Sequence, residues 1–328
     1  MKVLITGGAG YIGSFIIREL ENKYDLLILD SLEEGHIWAV GNHKLVVGDI
    51  GDEKVLNTVY ENFNPDVIIH CAAYIVAPES CKEPFKYYEN NFYKAMKMLK
   101  FFLERKLKYF IFSSTAAVYG NPKYLPVDED HPIEPLNPYG WSKFFFERAI
   151  IDFKNVYDFE YIILRYFNTA GASLDGKLGQ YKKEPTHLIS RIIRTILGFY
   201  KKLEIYGNDY PTRDGTAIRD YIHVLDLARL HKLALDYLLD TKRSEIINLG
   251  YGKGYSVLEI VELARKILKP FNYEFTERRE GDPAILVADN KKMKTLLNFE
   301  PKYDDIELIL KTSYNWEIYR IENINFKI

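Results

Sequence analysis

The hydrophobic pattern falls into short, wholly apolar runs separated by longer amphipathic ones. Lys2–Thr6, Asp25–Leu29, Lys44–Val47, Asp66–His70, Tyr109–Ser113 and Tyr161–Arg165 read as strands. The stretches Asp52–Asn62, Pro84–Arg105 and Pro138–Val156 read as helices. Strands that are apolar on both faces and alternate with helices predict a parallel sheet covered on both sides. From about residue 168 the pattern changes to loops, basic helices and Gly/Pro punctuation (Gly171–Pro185, Gly207–Gly215), as expected of a smaller lobe that completes a cleft. Glu245–Leu249 is a further strand, for which a return to the first sheet is open.

The first strand breaks into Gly7, Gly8, Ala9, Gly10, Tyr11, Ile12 and Gly13 and restarts as a helix. Gly8, Gly10 and Gly13 fit G-x-G-x-x-G, in which the glycines permit a tight turn and close backbone approach to a pyrophosphate. The phosphates would rest on the unpaired amides of the helix N-terminus. The second strand ends in Asp30, seventeen residues beyond Gly13. A carboxylate there accepts hydrogen bonds from both ribose hydroxyls and repels a 2′-phosphate, which favours NAD over NADP. The fold expected is thus α/β, a doubly wound parallel Rossmann-type sheet (residues 1–167) followed by a smaller mixed α/β substrate-binding lobe (residues 168–328, with roughly 215–250 free to return).

Composition narrows the function classes. With 328 residues, a net charge of −2 and a pI near 6.4, no nucleic-acid or membrane partner is expected. Cys71 and Cys81 are the two cysteines, too few for a disulfide framework, and no His/Cys set has metal-ligand spacing. No run reaches the roughly 18 apolar residues of a membrane span, and a first strand at residue 2 leaves no signal peptide, so a cytoplasmic protein is expected.

Ligands of doubly wound sheets bind at the carboxyl ends of the strands. After the fifth strand comes Ser113, Ser114, Thr115, Ala116 and Ala117; Asn137 and Pro138 then cap a helix that carries Tyr139 and Lys143 on one face. The pattern Tyr-x-x-x-Lys is cheap among 26 tyrosines and also occurs at Tyr93/Lys97 and Tyr119/Lys123. The former sits on a basic, solvated helix face and the latter straddles a Gly-Asn-Pro turn. Tyr139 alone opens a helix directly after a hydroxyl-rich strand end. A phenol with pKa about 10 is a poor base at neutral pH; an ammonium and a positive nicotinamide nearby would draw it down. Thr115 is placed to share the proton.

These segments together resemble the extended short-chain dehydrogenase/reductase family. The resemblance runs from Lys2 to about Asp289 and also rests on Gly48–Ile50, Tyr87–Asn91, Arg165–Asn168, Tyr206–Thr212, Asp214–Gly215, Arg219–Val224 and Arg278–Pro283. It implies that Gly7, Gly10, Tyr11, Ile12, Gly13, Asp30, Ser31, Asp49, Ile50, Cys71, Ala72, Ala73, Asn90, Ser113 and Phe167 hold NAD together with Tyr139 and Lys143. It further implies that Asn168, Arg219 and Arg279 clamp the pyrophosphate of a UDP-sugar, that Asp282 meets its ribose, and that Leu188, Glu204 and Tyr206 surround its uracil. On the residues alone, Arg219 and Arg279 read equally well as surface ion-pair residues. Thr115 and Tyr139 would touch the sugar, His187 would sit at its rim without a catalytic role, and Leu286 would wall the side of its 2-substituent. His223 reads as structural.

The activity implied is interconversion of UDP-glucose and UDP-galactose by transient oxidation at C4, rotation of the 4-keto sugar and return of hydride. Epimerisation of another nucleotide sugar, a 4,6-dehydratase and a non-catalytic NAD-binding scaffold stay open as alternatives. Dehydratases of the family carry an acid directly after the Thr, where this chain has Ala116 and Ala117. Some members carry a lysine near the sugar where Ile75 stands, and an asparagine is frequent at the place of His187. The resemblance also implies a homodimer built on the helices Pro84–Arg105 and Pro138–Val156.

Overall fold

The computed structural model describes residues 1–279 and 281–324. Thirteen strands form among them: β1 (Lys2–Thr6), β2 (Asp25–Asp30), β3 (Lys44–Val47), β4 (Val67–His70), β5 (Tyr109–Thr115), β6 (Glu160–Tyr166), β7 (Asn168–Ala170), β8 (Leu203–Tyr206), β9 (Ile218–His223), β10 (Glu245–Leu249), β11 (Gly254–Ser256), β12 (Tyr273–Thr276) and β13 (Ile285–Leu286). Seven of them make one parallel sheet in the order β10-β6-β5-β4-β1-β2-β3. Its order reverses between β1 and β4, and the crevice outside those strand ends is where such sheets bind ligands. A second sheet of β7, β9, β11 and β13 brings Asn168, Arg219 and Leu286 to the far side of that crevice, and β8 and β12 form a separate parallel pair.

The strands carry Val, Ile, Leu and Phe on both faces because both faces are covered. On one side Val3, Ile5, Ile28 and Ile69 pack against Ile16, Ile17 and Leu20 of the helix Tyr11–Leu20 and Leu227, Leu230 and Leu235 of the helix Val224–Thr241. On the other, Leu4, Ile68, Phe110 and Phe112 meet Leu56, Met98, Leu99, Phe102, Phe146 and Ile150. Each such side chain, taken fully out of water, contributes roughly 1.5–3 kcal/mol before conformational entropy is subtracted.

Local chemistry sets the two helices nearest the crevice. Asn137 caps Pro138–Lys154, its Oδ1 accepting from Gly140 N at 2.9 Å, and Pro138 occupies the first turn, where a missing N–H costs nothing. The helix expected over Pro84–Arg105 is interrupted. Pro84–Tyr88 and Ala95–Leu103 flank a π-helical turn, Glu89–Lys94. That turn is pinned by buried Asn91, which accepts from Tyr74 N and donates to Tyr74 O, both at 2.9 Å. Wide turns of this kind recur at functional sites, and here Asn90 is turned to the crevice.

One polar network runs through the apolar interior. Glu147, one turn beyond Lys143, is 1% exposed and faces Arg165 of β6, whose Nη2 lies 2.6 Å from Glu147 Oε2 and whose Nε donates to Oε1 at 3.1 Å. Ser114 donates to the same carboxylate, and Arg165 Nη1 reaches Tyr119 Oη at 2.9 Å. Tyr119 in turn donates to Asn248 Oδ1 of β10 at 2.6 Å. The pair therefore ties the helix, β5, β6 and β10 together beneath the crevice. Removing one partner strands a buried charge, so Arg165→Ala is expected to lower the unfolding free energy by about 3–5 kcal/mol. Denaturant titration measures it; a loss below about 1 kcal/mol would show that the pair does not hold these elements together.

Candidate active site

A cleft of about 390 Å³ follows the carboxyl ends of β1, β2, β4, β5 and β6 and is closed on its far side by the second sheet. Its first half is a dinucleotide cradle. Gly7 has φ +71°, and a Cβ there would stand 2.5 Å from Ala72 N; a Cβ on Gly13 would stand 2.4 Å from Gly7 O. Only glycine fits, and the backbone approach it allows is what a pyrophosphate needs. The helix Tyr11–Leu20 starts without a side-chain cap and without an acid in its first turn, which leaves its amides to an anion. Asp30 is held at the end of β2 by Ala9 N on Oδ2 (3.0 Å) and Leu32 N on Oδ1 (2.9 Å). Burial pushes its carboxyl above the usual range, against those two bonds. Each oxygen keeps a lone pair for a ribose hydroxyl, so the residues fit NAD.

Of the residues singled out for the cofactor from the sequence, Gly7, Gly10, Tyr11, Ile12, Gly13, Asp30, Ser31, Asp49, Ile50, Cys71, Ala72, Ala73, Asn90, Ser113, Tyr139, Lys143 and Phe167 line this cleft, while Gly8 faces Ile28 of β2. Asp49 is oriented by Gly51 N (2.6 Å) and by Lys94 Nζ, also at 2.6 Å. Tyr11 donates to Gly171 O at 2.6 Å and so links the glycine turn to the opposite wall. The wall also includes Glu33, Glu34, Tyr74, Gln180, Tyr181 and Lys182. These residues lie on loops, which carry no hydrophobic period; the acidic pair Glu33 and Glu34 after Asp30 is their signal in the sequence.

At the inner end of the cradle stand Thr115, Tyr139 and Lys143. Thr115 and Tyr139 line the same stretch of the cleft, and Lys143 Nζ donates to Ser113 O at 2.8 Å. The expectation that Lys143 draws the Tyr139 pKa down needs correction. Burial raises that pKa above 10, only the Thr115 hydrogen bond opposes it, and the Lys143 ammonium is engaged by the Ser113 carbonyl. Lys143 is itself pushed down to about 8 by burial, with Cys71 and Glu147 acting the other way. It still carries its proton for most of the time at neutral pH.

The outer half of the cleft is lined by Asn168, His187, Arg219, Asp282 and Leu286, with exposed Ile75 on the near wall. Arg219 Nη2 stands 3.9 Å from Asp282 Oδ1, which leaves most of the guanidinium fork free for another anion. Burial pushes His187 down to about 4, helped by Lys182 and Arg279, so its imidazole is neutral. His223 caps the helix Val224–Thr241, Nδ1 accepting from Leu225 N at 3.1 Å. Four residues expected around uracil and phosphate do not line this cleft. Leu188 lines a smaller neighbouring cavity, Glu204 is held by Arg191 and Tyr206 (both 3.1 Å), and Arg279 lies over the Tyr206 ring at 4.3 Å. Within the motif Arg278–Pro283, Glu280 lies outside the described residues. Among the described residues, no helix is long and apolar enough to cross a membrane.

Fold and site together define a dinucleotide-binding protein with a Tyr/Lys/hydroxyl trio beside an outer pocket that holds Arg219. Comparison with known proteins is consistent with that class. The NAD dependent epimerase/dehydratase family matches residues 3–250, and the chain belongs to it. The UDP-glucose 4-epimerase of Halalkalibacterium halodurans is 42% identical over 96% of this chain and 95% of its own length. A crystal structure of UDP-glucose 4-epimerase from Bifidobacterium longum in complex with NAD+ and UDP superposes with a TM-score of 0.92, at 36% identity over 98% of this chain and 99% of that one. The UDP-Glc/GlcNAc 4-epimerase of Campylobacter jejuni is 41% identical, with a TM-score of 0.83 over 97% and 99% of the two chains.

Proposed function

We propose that this chain is a UDP-glucose 4-epimerase that interconverts UDP-glucose and UDP-galactose with NAD. The observation that carries this reading is that Thr115, Tyr139 and Lys143 line one cleft between a glycine-built dinucleotide cradle and the Arg219/Asp282 pocket. Tyr139 Oη takes the proton of the sugar 4-hydroxyl, and Thr115 holds the same oxygen and shortens the proton's path. The chemistry NAD supplies when bound is reversible uptake of the hydride from C4. Lys143, held by the Ser113 carbonyl, keeps a positive charge beside the cleft floor. Arg219 and Asn168 hold the diphosphate, while the wall near the sugar is apolar at Ile75 and Leu286. A firm grip on the nucleotide and a weak one on the sugar let the 4-keto ring turn and take hydride back on its other face. Tyr139 then returns the proton, and no net oxidation remains.

Ala116 and Ala117 also line the cleft, and their methyl groups can neither donate nor accept a proton. That argues against elimination of water and for epimerisation. The free thiols Cys71 and Cys81 suit a reducing, cytoplasmic compartment. Tyr139→Phe is expected to lower UDP-galactose turnover by about 10³–10⁴-fold while bound NAD and the far-UV spectrum stay as in the parent, because only the ionisable oxygen is lost. Near-normal turnover in that variant would remove Tyr139 from the mechanism.

A homodimer goes with this reading. Phe85 (76% exposed), Tyr93 (53%) and Phe145 (38%) lie on the segments Pro84–Leu103 and Pro138–Lys154, where Tyr88 stacks on Phe145 and Phe92 lies tilted against it. Large apolar side chains grouped on neighbouring helices are suited to a second copy of the chain. Light scattering at micromolar concentration is expected to give twice the monomer mass of 38.4 kDa; the monomer mass would refute it.

A further inference from the structure

Beneath the reacting end of the cleft runs a chain of four polar groups, three of them buried, that proton transfer does not use. It starts at the wall with Cys71, whose Sγ lies 3.1 Å from Ser113 Oγ. The Ser113 and Tyr166 hydroxyl oxygens are 2.6 Å apart, and Tyr166 is hydrogen-bonded to His231 Nε2. His231 ends the chain, its Nδ1 2.8 Å from the backbone oxygen of Leu227 on the helix Val224–Thr241. Ser113 is 6% exposed, Tyr166 8% and His231 0%.

The direction of every bond follows from the last one. A backbone carbonyl can only accept, so Nδ1 carries a proton and donates to Leu227 O. Burial holds His231 down to about 4, so at neutral pH the ring has one proton and Nε2 is an acceptor. Tyr166 must therefore give its single proton to His231. Its oxygen then accepts from Ser113, which spends the only proton Ser113 Oγ has, and the Cys71 thiol donates to Ser113. Ser113 is left with one lone pair and no proton to offer to the cleft it lines.

We propose that His231 and Tyr166 are positioning residues that lock Ser113 as a hydrogen-bond acceptor, so that the nicotinamide end of the dinucleotide is recognised through the N–H group of its carboxamide. The inference rests on the reading that NAD occupies this cleft. Breaking the chain reverses the polarity. With phenylalanine at 231, the Tyr166 proton turns to the nearest remaining acceptor, Ser113 Oγ, and the Ser113 proton is released toward the cleft. Ser113 then prefers a carbonyl to an N–H.

The test is competitive binding. The full-length protein is equilibrated with equal amounts of NAD and 3-acetylpyridine adenine dinucleotide, which has an acetyl group and no N–H in place of the carboxamide. Free dinucleotide is removed and the bound fraction is separated by chromatography. The parent protein is expected to favour NAD roughly fivefold to tenfold, the worth of one hydrogen bond. His231→Phe is expected to bring the two near parity. His231→Gln, whose amide oxygen can accept where Nε2 does, is expected to restore the preference, which a purely structural role for the ring would not do. Tyr166→Phe is expected to lose the preference as well and serves as the second variant should His231→Phe not fold. A folded His231→Phe or Tyr166→Phe that keeps the parent's preference overturns the inference, as does a parent that binds both dinucleotides equally. A parent that retains neither overturns the cofactor reading itself.

Discussion

The geometry of the cleft floor depends on one buried ion pair. Glu147 and Arg165 lie where the dielectric is low and the surroundings are Phe, Ile and Leu, so neither charge is tolerable without the other. Their satisfaction is nearly complete. The carboxylate takes Ser114 as well as the guanidinium, and the guanidinium also reaches Tyr119. Ser114 directly precedes Thr115, and Lys143 is one helical turn before Glu147. A shift of that helix along β5 and β6 would therefore break a charged bond before it moved Tyr139 away from Thr115. Glu147 also acts on Lys143, where its negative charge opposes the loss of the lysine proton that burial promotes.

Burial sets the electrostatics of the cleft against the reactive form of the base. It raises Tyr139 and lowers Lys143, and both shifts disfavour a phenolate beside an ammonium. Among the groups acting on Tyr139, Thr115 alone opposes burial. The same low dielectric keeps His187 and His231 neutral, so neither competes for the substrate proton.

Much of this was legible in the chain. The six strands of the first half are apolar on both faces, and that property belongs to buried parallel strands and to little else. The glycine turn and Asp30 could be read because their chemistry is local, confined to one strand end each. The Pro138 helix announced itself through Asn137 and Pro138. Other features arise between segments distant in sequence. Glu147 stands beside Arg148 in a helix and looks solvated; its partner Arg165 lies eighteen residues away on β6, and no period links them. The π-helical turn at Glu89–Lys94 is set by Asn91 reaching Tyr74, a contact that amphipathic spacing cannot foretell. The uracil and phosphate roles of Leu188, Glu204, Tyr206 and Arg279 rest on motif resemblance alone: Leu188 lines a cavity that shares Asn168 and His187 with the main cleft, and Arg279 lies over the Tyr206 ring.

The central claim is that the hydrogen on C4 of the sugar leaves as hydride and comes back to the same carbon without meeting water. The measurement that tests it is conversion of UDP-galactose deuterated at C4 by the protein in ordinary water, with the product analysed by mass spectrometry. The account predicts UDP-glucose that keeps its deuterium at C4. Product in which the deuterium has been replaced by hydrogen from solvent would contradict it.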